Sequence, residues 1–183
     1  MVWRFFMKKL MKNIHLQNYQ GLIDNSLLEM ESAQIIKRIW DHDFTVWKNN
    51  PEEISNRLAW LEIAEEMTGE IRGINNFVNE LLMEGYKQVL LMGMGGSSLA
   101  PEVYRKTFGV KEGFLDLWIL DSTDPGMIQS YARRLDPQKT LFIVSTKLGG
   151  TIETLSFFKY FYTFLVDKLG EVEAGKHFIL ITD

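Results

Sequence analysis

The chain of 183 residues has no cysteine, and it has neither a long apolar run nor an excess of positive charge. The absence of cysteine excludes disulfide bonds, a thiol nucleophile and thiolate metal ligands, and it agrees with the cytoplasmic location that we expect. Because no apolar run is long enough to cross a bilayer, we expect no membrane partner. The net charge of −4 at pH 7 gives no reason to expect a nucleic acid partner.

Histidine is also scarce. The three histidines, His15, His42 and His177, are scattered, and none lies in a loop that follows a predicted strand. We interpret them as ordinary core or surface residues rather than as metal ligands or bases. What the sequence does contain is 46% hydrophobic residues, enough to fill the core of one domain with or without an appendage.

The first twelve residues, Met1 to Lys12, mix basic and apolar side chains. A targeting segment is one interpretation, but Arg4 interrupts the apolar stretch and no small-residue cleavage site follows. We interpret this stretch as a packed or frayed N-terminal segment.

Helical periodicity is typical of the next part of the chain, up to Glu84. Apolar side chains recur at spacings of three and four, at Ile36, Trp40, Phe44 and Trp47 and then at Ile54, Leu58, Leu61, Ala64 and Met67. Pro51 predicts the start of a helix, and Gly85 predicts the C-cap that ends the helical pattern. We therefore predict an N-terminal helical region over residues 1–85, with these apolar stripes packed in a core.

Strand and helix patterns alternate after Gly85. Predicted strands span Gln88–Met92, Leu115–Leu120, Thr140–Ser145 and His177–Thr182, and predicted helices span Leu99–Phe108, Gly126–Leu135 and Ile152–Leu169. This alternation predicts an α/β fold over residues 86–183, a mainly parallel sheet flanked by helices. Ligands of such sheets bind at the carboxyl ends of the strands.

Two loops at predicted strand ends have the composition of an anion site. The first is Gly93-Met94-Gly95-Gly96-Ser97-Ser98, and the second is Thr146-Lys147-Leu148-Gly149-Gly150-Thr151. Each leads into a helix, whose first N–H groups and positive dipole end favour an anion. The hydroxyls of these loops add hydrogen-bond donors, and Lys147 adds a positive charge. If the second loop stood by itself, a simpler interpretation would suffice, in which Thr151 only caps the helix and Lys147 is only solvated. Two such loops together favour a phosphorylated small molecule.

Other known motifs fit less well. The second loop lacks the Gly-Lys-Ser/Thr sequence of the Walker motif. The first loop could be a dinucleotide fingerprint with Asp121 ending the next strand, but Ser98 stands where a third glycine or alanine is expected. A nucleophilic serine at Ser97 or Ser98 would lack the Gly-x-Ser-x-Gly elbow.

Several segments resemble the glucose-6-phosphate isomerase family. The stretches Gly93–Pro101 and Ser145–Thr154 look like the first and second motifs of that family, and Asp121–Pro125 is similar to its middle loop. The segment Asn56–Leu61 resembles the region ahead of the isomerase part in transaldolase–isomerase fusions. The resemblance extends from about Asn56 to Asp183, and the ordered set of motifs is more specific than any one of them.

The resemblance implies a sugar-isomerase (SIS) domain with a five-stranded parallel sheet between helices. It implies an enzyme of glycolysis and gluconeogenesis that interconverts glucose 6-phosphate and fructose 6-phosphate through an enediol, with no metal and no cofactor. Gly96 and Ser97 would contact the sugar, and Thr146, Lys147 and Thr151 would hold the 6-phosphate. The full-length protein would be a homo-oligomer, a dimer.

Two residues of the second motif, Leu148 and Glu153, differ from the others in what they imply. Leu148 stands where the family usually has Ser or Thr as a further phosphate ligand, so we expect weaker phosphate binding. Glu153 has two interpretations of similar weight. It is a carboxylate favoured by the dipole of the first helical turn, or, as the resemblance implies, it orients a histidine that helps to open the sugar ring.

The family's glutamate base, and the arginine, histidine and lysine that assist it, belong to segments that would follow Asp183. We therefore expect residues 86–183 to be the N-terminal portion of a longer enzyme, and this chain alone to be inactive. The alternative function is a non-catalytic, regulatory SIS domain that binds a sugar phosphate.

Overall fold

The computed structural model describes residues 16–182. The segment Met1 to Lys12, interpreted above as packed or frayed, lies outside the described residues. The chain divides into two compact units, Met1–Ile71 and Arg72–Asp183, and each is described by itself. The domain division expected from the sequence after residue 85 stays a prediction.

The first unit is built from short helices. Two α-helices, α1 and α2, span Gln20–Ser32 and Ile35–Trp40, and single 3-10 turns span Gln17–Tyr19, Phe44–Val46, Ser55–Arg57 and Ala59–Leu61. The next helix, α3, spans Ile63–Met83. The helical region predicted before the sheet is therefore present.

The continuous helix predicted from Pro51 is wrong. The Asn50 side chain accepts a hydrogen bond from the Glu52 N–H (3.0 Å), which closes a turn of its own around Pro51. Glu53 then has a φ of 58°, outside the right-handed helical range. Helical hydrogen bonding accordingly becomes regular only at Ile63, the first residue of α3.

The prediction that the apolar stripes of this unit pack in a core is also wrong in part. Ile36, Trp40 and Trp47 are 60%, 58% and 47% exposed, whereas Leu58 and Leu61 are buried. Periodicity identifies side chains that share a helix face, but it carries no information on what covers that face.

The Asp43 carboxyl has a lowered pKa. The Thr45 hydroxyl, the Arg38 guanidinium (Nε to Oδ2, 2.6 Å) and the Thr45 N–H (2.9 Å) all donate to its carboxylate, and together they lower its pKa from 3.8 to about 2. These bonds favour the charged form, so their contribution to stability is present above pH 3.8 and is lost as the pH falls through about 2.

We expect a carbon-13 NMR titration to show the Asp43 carboxyl titrating near pH 2. Thr45→Val removes the largest of these contributions, so it should raise the pKa of Asp43 toward 3.8. Thr68→Val, which alters a distant hydroxyl in α3, serves as the control. An unperturbed titration of Asp43 in the unsubstituted chain would contradict this prediction.

The C-terminus of α3 lies in the second unit and confirms the C-cap prediction. Gly85 has a φ of 95°, its N–H donates to the Leu82 carbonyl (3.2 Å), and the Tyr86 N–H donates to the Leu81 carbonyl (3.1 Å). This pair of bonds is the Schellman motif, which requires a left-handed residue that glycine supplies without strain. Leu81 and Tyr86 then pack together in one hydrophobic cluster.

The second unit is a four-stranded parallel sheet with the order β2-β1-β3-β4. The strands span Gln88–Met92 (β1), Asp116–Leu120 (β2), Thr140–Ser145 (β3) and Phe178–Ile181 (β4), and the helices span Gly96–Phe108 (α4), Pro125–Arg134 (α5), Ile152–Leu169 (α6) and Glu171–Lys176 (α7). The predicted α/β fold is confirmed. Residues 16–182 contain four strands, the number that the sequence pattern predicts, and not the five that the resemblance implies.

The two faces of the sheet carry different cores, because successive side chains of a strand point to opposite faces. On one face, strand side chains pack against α6; the fully buried members are Leu90, Met92, Leu120, Phe142, Phe157, Phe161, Leu165 and Ala174. On the other face, Val89 and Leu141 pack against Leu81 and Tyr86. β1 and β3, in the middle of the sheet, are almost entirely buried, whereas Leu180 and Ile181 at the end of the edge strand β4 are 65% and 54% exposed.

None of the helices among residues 16–182 is both long and apolar enough to span a membrane. His177, which the sequence suggests is an ordinary residue, is buried with its Nδ1 2.8 Å from the Thr140 carbonyl oxygen. It lies at the amino end of β4, at the opposite end of the sheet from the loops considered below.

Candidate functional site

The strand order brings the two predicted anion loops together. β1 and β3 are direct neighbours, with Met92 opposite Val144 at their carboxyl ends. In the sheet, β2 lies on one side of β1 and β3 lies on the other, so the direction in which strands are added reverses at β1. Such a switch point opens a crevice at the carboxyl ends of the two strands, where open parallel sheets bind their ligands.

Gly93 allows the two loops to approach closely. A Cβ atom added at Gly93 would lie 3.0 Å from the Ser97 Cβ and 3.1 Å from the Ser145 carbonyl oxygen. Gly93 thus lies between the start of α4 and the end of β3, with no room for a side chain. This contact holds the first loop against the strand that leads into the second.

The first loop turns sharply into α4. Gly95 has φ 57° and ψ −127°, and the Ser97 N–H donates back to the Met94 carbonyl (3.2 Å). Ser98 is 1% exposed, and its hydroxyl donates to the Gly95 carbonyl (3.1 Å). Ser98 therefore stabilises the turn, whereas Ser97, half-buried, and Gly96, exposed, remain open to a ligand.

The second loop begins at a buried hydroxyl without a partner. The Thr146 N–H donates to the Ile181 carbonyl (2.9 Å), which fixes the start of the loop beside β4. The Thr146 Oγ1 atom is buried and has no hydrogen-bond partner among residues 16–182. Lys147 and Leu148 are exposed, and the Leu148 side chain is 68% accessible.

The N-terminus of α6 follows this loop, and its first turn has no side-chain cap. Thr151 occupies the N-cap position, but its side chain accepts no capping hydrogen bond. Within the described chain, Leu155 is the first residue of this helix whose N–H bonds a backbone carbonyl, that of Thr151 (3.0 Å). The preceding N–H groups are therefore available to an anion. Thr151 occupies the N-cap position that the simple-cap interpretation gives it, but its side chain makes no capping bond.

Glu153 lies in that first turn and is half-buried. Its position suits the positive end of the helix dipole. Its expected role in orienting a histidine stays a prediction.

The middle loop, Asp121–Asp124, follows β2 at the edge of the sheet, on the far side of β1 from β3. Asp124 caps α5, because its Oδ1 accepts the Met127 N–H at 2.7 Å. Asp124 is thus accounted for by local structure. No group of three His, Asp or Glu side chains among residues 16–182 is arranged to hold a metal ion.

The structure adds two residues that the sequence analysis did not single out. Gly93 matters through contacts that are distant in sequence, so no local pattern could reveal it. Thr154 is 1% exposed, and its hydroxyl has no partner in the described part of the chain. Its signal was present in the sequence: Thr154 is the polar member of an otherwise apolar helical stripe.

Comparison with known proteins identifies similar sequences and folds. The sequence model of the family described as "Phosphoglucose isomerase" matches residues 67–183. The chain is similar to a glucose-6-phosphate isomerase of Campylobacter jejuni, 33% identical over 59% of this chain and 28% of that protein. It is also similar to a glucose-6-phosphate isomerase of Thermus thermophilus, 30% identical over 72% of this chain and 30% of that protein.

Two solved structures share the fold. One is a hypothetical protein from Thermus thermophilus, with a TM-score of 0.68, 25% identity, and coverage of 90% of this chain and 37% of that one. The other is a glucose-6-phosphate isomerase from Chlamydia trachomatis, with a TM-score of 0.58, 21% identity, and coverage of 81% of this chain and 26% of that one. The chain spans less than a third of the length of the curated relatives named above.

Proposed function

The chain belongs to the phosphoglucose isomerase family, and from this membership we propose that it supplies the phosphate- and sugar-binding loops of an enzyme that interconverts glucose 6-phosphate and fructose 6-phosphate. The proposal concerns the loops after β1 and β3. The relatives named above support the substrate, since both carry the name glucose-6-phosphate isomerase.

The observation that carries this proposal is the unpaired Thr146 hydroxyl beside the open N-terminus of α6. A buried hydroxyl without a partner is costly, and nearly all such groups in native proteins are hydrogen-bonded. A phosphate dianion accepts several hydrogen bonds at once, so it would satisfy Thr146 and the free N–H groups of the first turn.

The other residues have complementary roles in the proposal. The exposed Lys147 ammonium neutralises part of the phosphate charge, and the Thr151 hydroxyl donates to a phosphate oxygen. Gly96 and Ser97, across the crevice, contact the sugar. The backbone at Gly96 can approach the ligand closely because no side chain intervenes.

The reaction moves a proton from C2 of the aldose to C1 through an enediol, and this route needs no metal and no cofactor. It does need a base, a second acid–base group that opens the ring, and a cation near the enediolate oxygens. We assign none of these proton transfers to residues 16–182. Glu153 is proposed only to orient another group, so this chain alone is expected to bind the sugar phosphate without isomerising it.

The proposal extends to the full-length enzyme, which would be a cytoplasmic homodimer as the resemblance implies. No nucleic acid takes part. The homodimer rests on the family, whereas the other two points rest on the net charge of −4 and the absence of cysteine.

The test is a titration of this chain with fructose 6-phosphate, followed by amide chemical shifts, with fructose as the control ligand. We expect saturable shifts at Gly96, Ser97 and residues 146–151 with the phosphate ester only. Lys147→Met should weaken binding by about tenfold to a hundredfold, the value of a charged hydrogen bond. Lys159→Met is the control: it removes an exposed lysine that lies on α6 and not in the loop, so it should leave the affinity unchanged.

Equal shifts with fructose would contradict phosphate recognition. No shifts at millimolar fructose 6-phosphate would show that the loops do not form a binding site in this chain.

A further inference from the structure

Thr154 is the second buried hydroxyl that lacks a hydrogen-bond partner among residues 16–182. The residue is 1% exposed, so bulk solvent does not reach it. Only two side chains of the described chain are in this condition, Thr146 and Thr154, and they lie at the two ends of the same loop–helix segment. Nearly all such groups in native proteins are hydrogen-bonded, so both hydroxyls call for a polar partner.

The helix itself does not satisfy Thr154, although it offers other residues a solution. The Ser156 hydroxyl donates to the Ile152 carbonyl four residues back (2.7 Å), and in α3 the Thr68 hydroxyl donates to the Ala64 carbonyl (2.8 Å). This bond to the residue four positions back is common for Ser and Thr inside helices. For Thr154 the corresponding residue is Gly150, which precedes the helix, and no such bond forms.

The position of Thr154 on α6 places its side chain toward the sheet. The buried residues of this helix are Thr154, Phe157, Phe161 and Leu165, which share one face. Phe157, Phe161 and Leu165 pack in the core against strand residues. Thr154 is the first residue of that stripe and the third residue of α6. Since α6 follows β3, this first turn lies at the carboxyl end of the sheet, where the crevice between β1 and β3 opens.

We infer that Thr154 is a ligand-binding residue whose hydroxyl, together with that of Thr146, donates a hydrogen bond to the phosphate group held at the N-terminus of α6. This inference rests on the proposed function, because it takes the phosphate site as given and adds a donor to it. In the absence of phosphate the hydroxyl is unsatisfied and shielded from solvent, so the loop of residues 146–151 must shift for a phosphate oxygen to reach it and become its partner.

The inference gives Thr154→Val opposite effects on stability and on binding. Valine has nearly the same shape and no hydroxyl, so without phosphate the variant should melt about 2–4 °C higher than the unsubstituted chain. Its dissociation constant for inorganic phosphate should rise by roughly fivefold to a hundredfold. Thr154→Ser keeps the hydroxyl, so its affinity should stay within about twofold.

Inorganic phosphate is the probe, and thermal unfolding and calorimetric titration of the 183-residue chain are the measurements. Thr163→Val, which changes an exposed threonine on the same helix, controls for nonspecific effects. Thr154→Ala provides a second variant without the hydroxyl if the valine variant does not fold, and it should show the same loss of affinity.

The outcomes separate this inference from the proposed function. If the unsubstituted chain binds phosphate and Thr154→Val binds it equally well, the role of Thr154 is overturned while the phosphate site stands. If Thr154→Val melts lower and keeps its affinity, the hydroxyl is structural and the inference is again overturned. If the unsubstituted chain does not bind phosphate, both fail.

Discussion

Gly93→Ala is expected to lower the free energy of unfolding by about 1–3 kcal/mol, the usual cost of overpacking a well-packed position. The added Cβ would lie 3.0 Å from the Ser97 Cβ and 3.1 Å from the Ser145 carbonyl oxygen. Neither neighbour is the end of a flexible side chain, since one is anchored in α4 and the other is backbone of β3. The strain must therefore move one element away from the other.

The same substitution should weaken phosphate binding, because it separates the first loop from the strand that leads into the second. Gly175→Ala is the matched control: Gly175 lies in α7, and a Cβ added there would meet no atom within 4 Å. Urea unfolding and phosphate titration of both variants measure the two effects. A Gly93→Ala variant as stable and as tightly binding as the control would show that the two loops do not depend on this contact.

The fold of the second unit was largely predictable because its signals are local. β1 and β3 match their predicted bounds, and the polar loops lie where the apolar runs stop. The helix α7, residues Glu171–Lys176, was not predicted. At six residues it is too short to show a helical period, and only Gly170 marks its start.

The first unit shows the limit of the same reasoning. The stripe from Ile54 to Met67 has helical spacing, yet its first half forms separate 3-10 turns at Ser55–Arg57 and Ala59–Leu61, and α3 begins only at Ile63. Spacing records which side chains could share a face, but it does not decide whether the backbone between them forms one continuous helix.

The residues proposed for the candidate site come from local sequence motifs, whereas the adjacency of the two loops could not be predicted from sequence. Thr146, Lys147 and Thr151 follow from one continuous motif. The adjacency of that loop to Gly96 and Ser97 depends on the strand order, which is set by pairing between distant segments. The contact at Gly93 and the unpaired hydroxyls of Thr146 and Thr154 likewise become visible only when the strands are side by side.

Leu148→Ser is the second prediction with a large expected effect. The resemblance implies Ser or Thr at this position, and Leu148 is 68% exposed in the loop between Lys147 and α6. A hydroxyl there adds a hydrogen bond to a charged group, worth about 1.5–3 kcal/mol, so phosphate affinity should rise by about tenfold to a hundredfold. Because the side chain is exposed, unfolding stability should change by less than about 0.5 kcal/mol.

Leu148→Ala distinguishes the two ways in which serine could act. Alanine removes the bulk of leucine and adds no donor, so a gain shared by both variants would come from relief of crowding, and a gain confined to serine would come from the hydroxyl. Calorimetric titration with fructose 6-phosphate measures both. If neither variant changes the affinity, the side chain at position 148 does not face the phosphate, and recognition rests on Thr146, Lys147 and the N-terminus of α6.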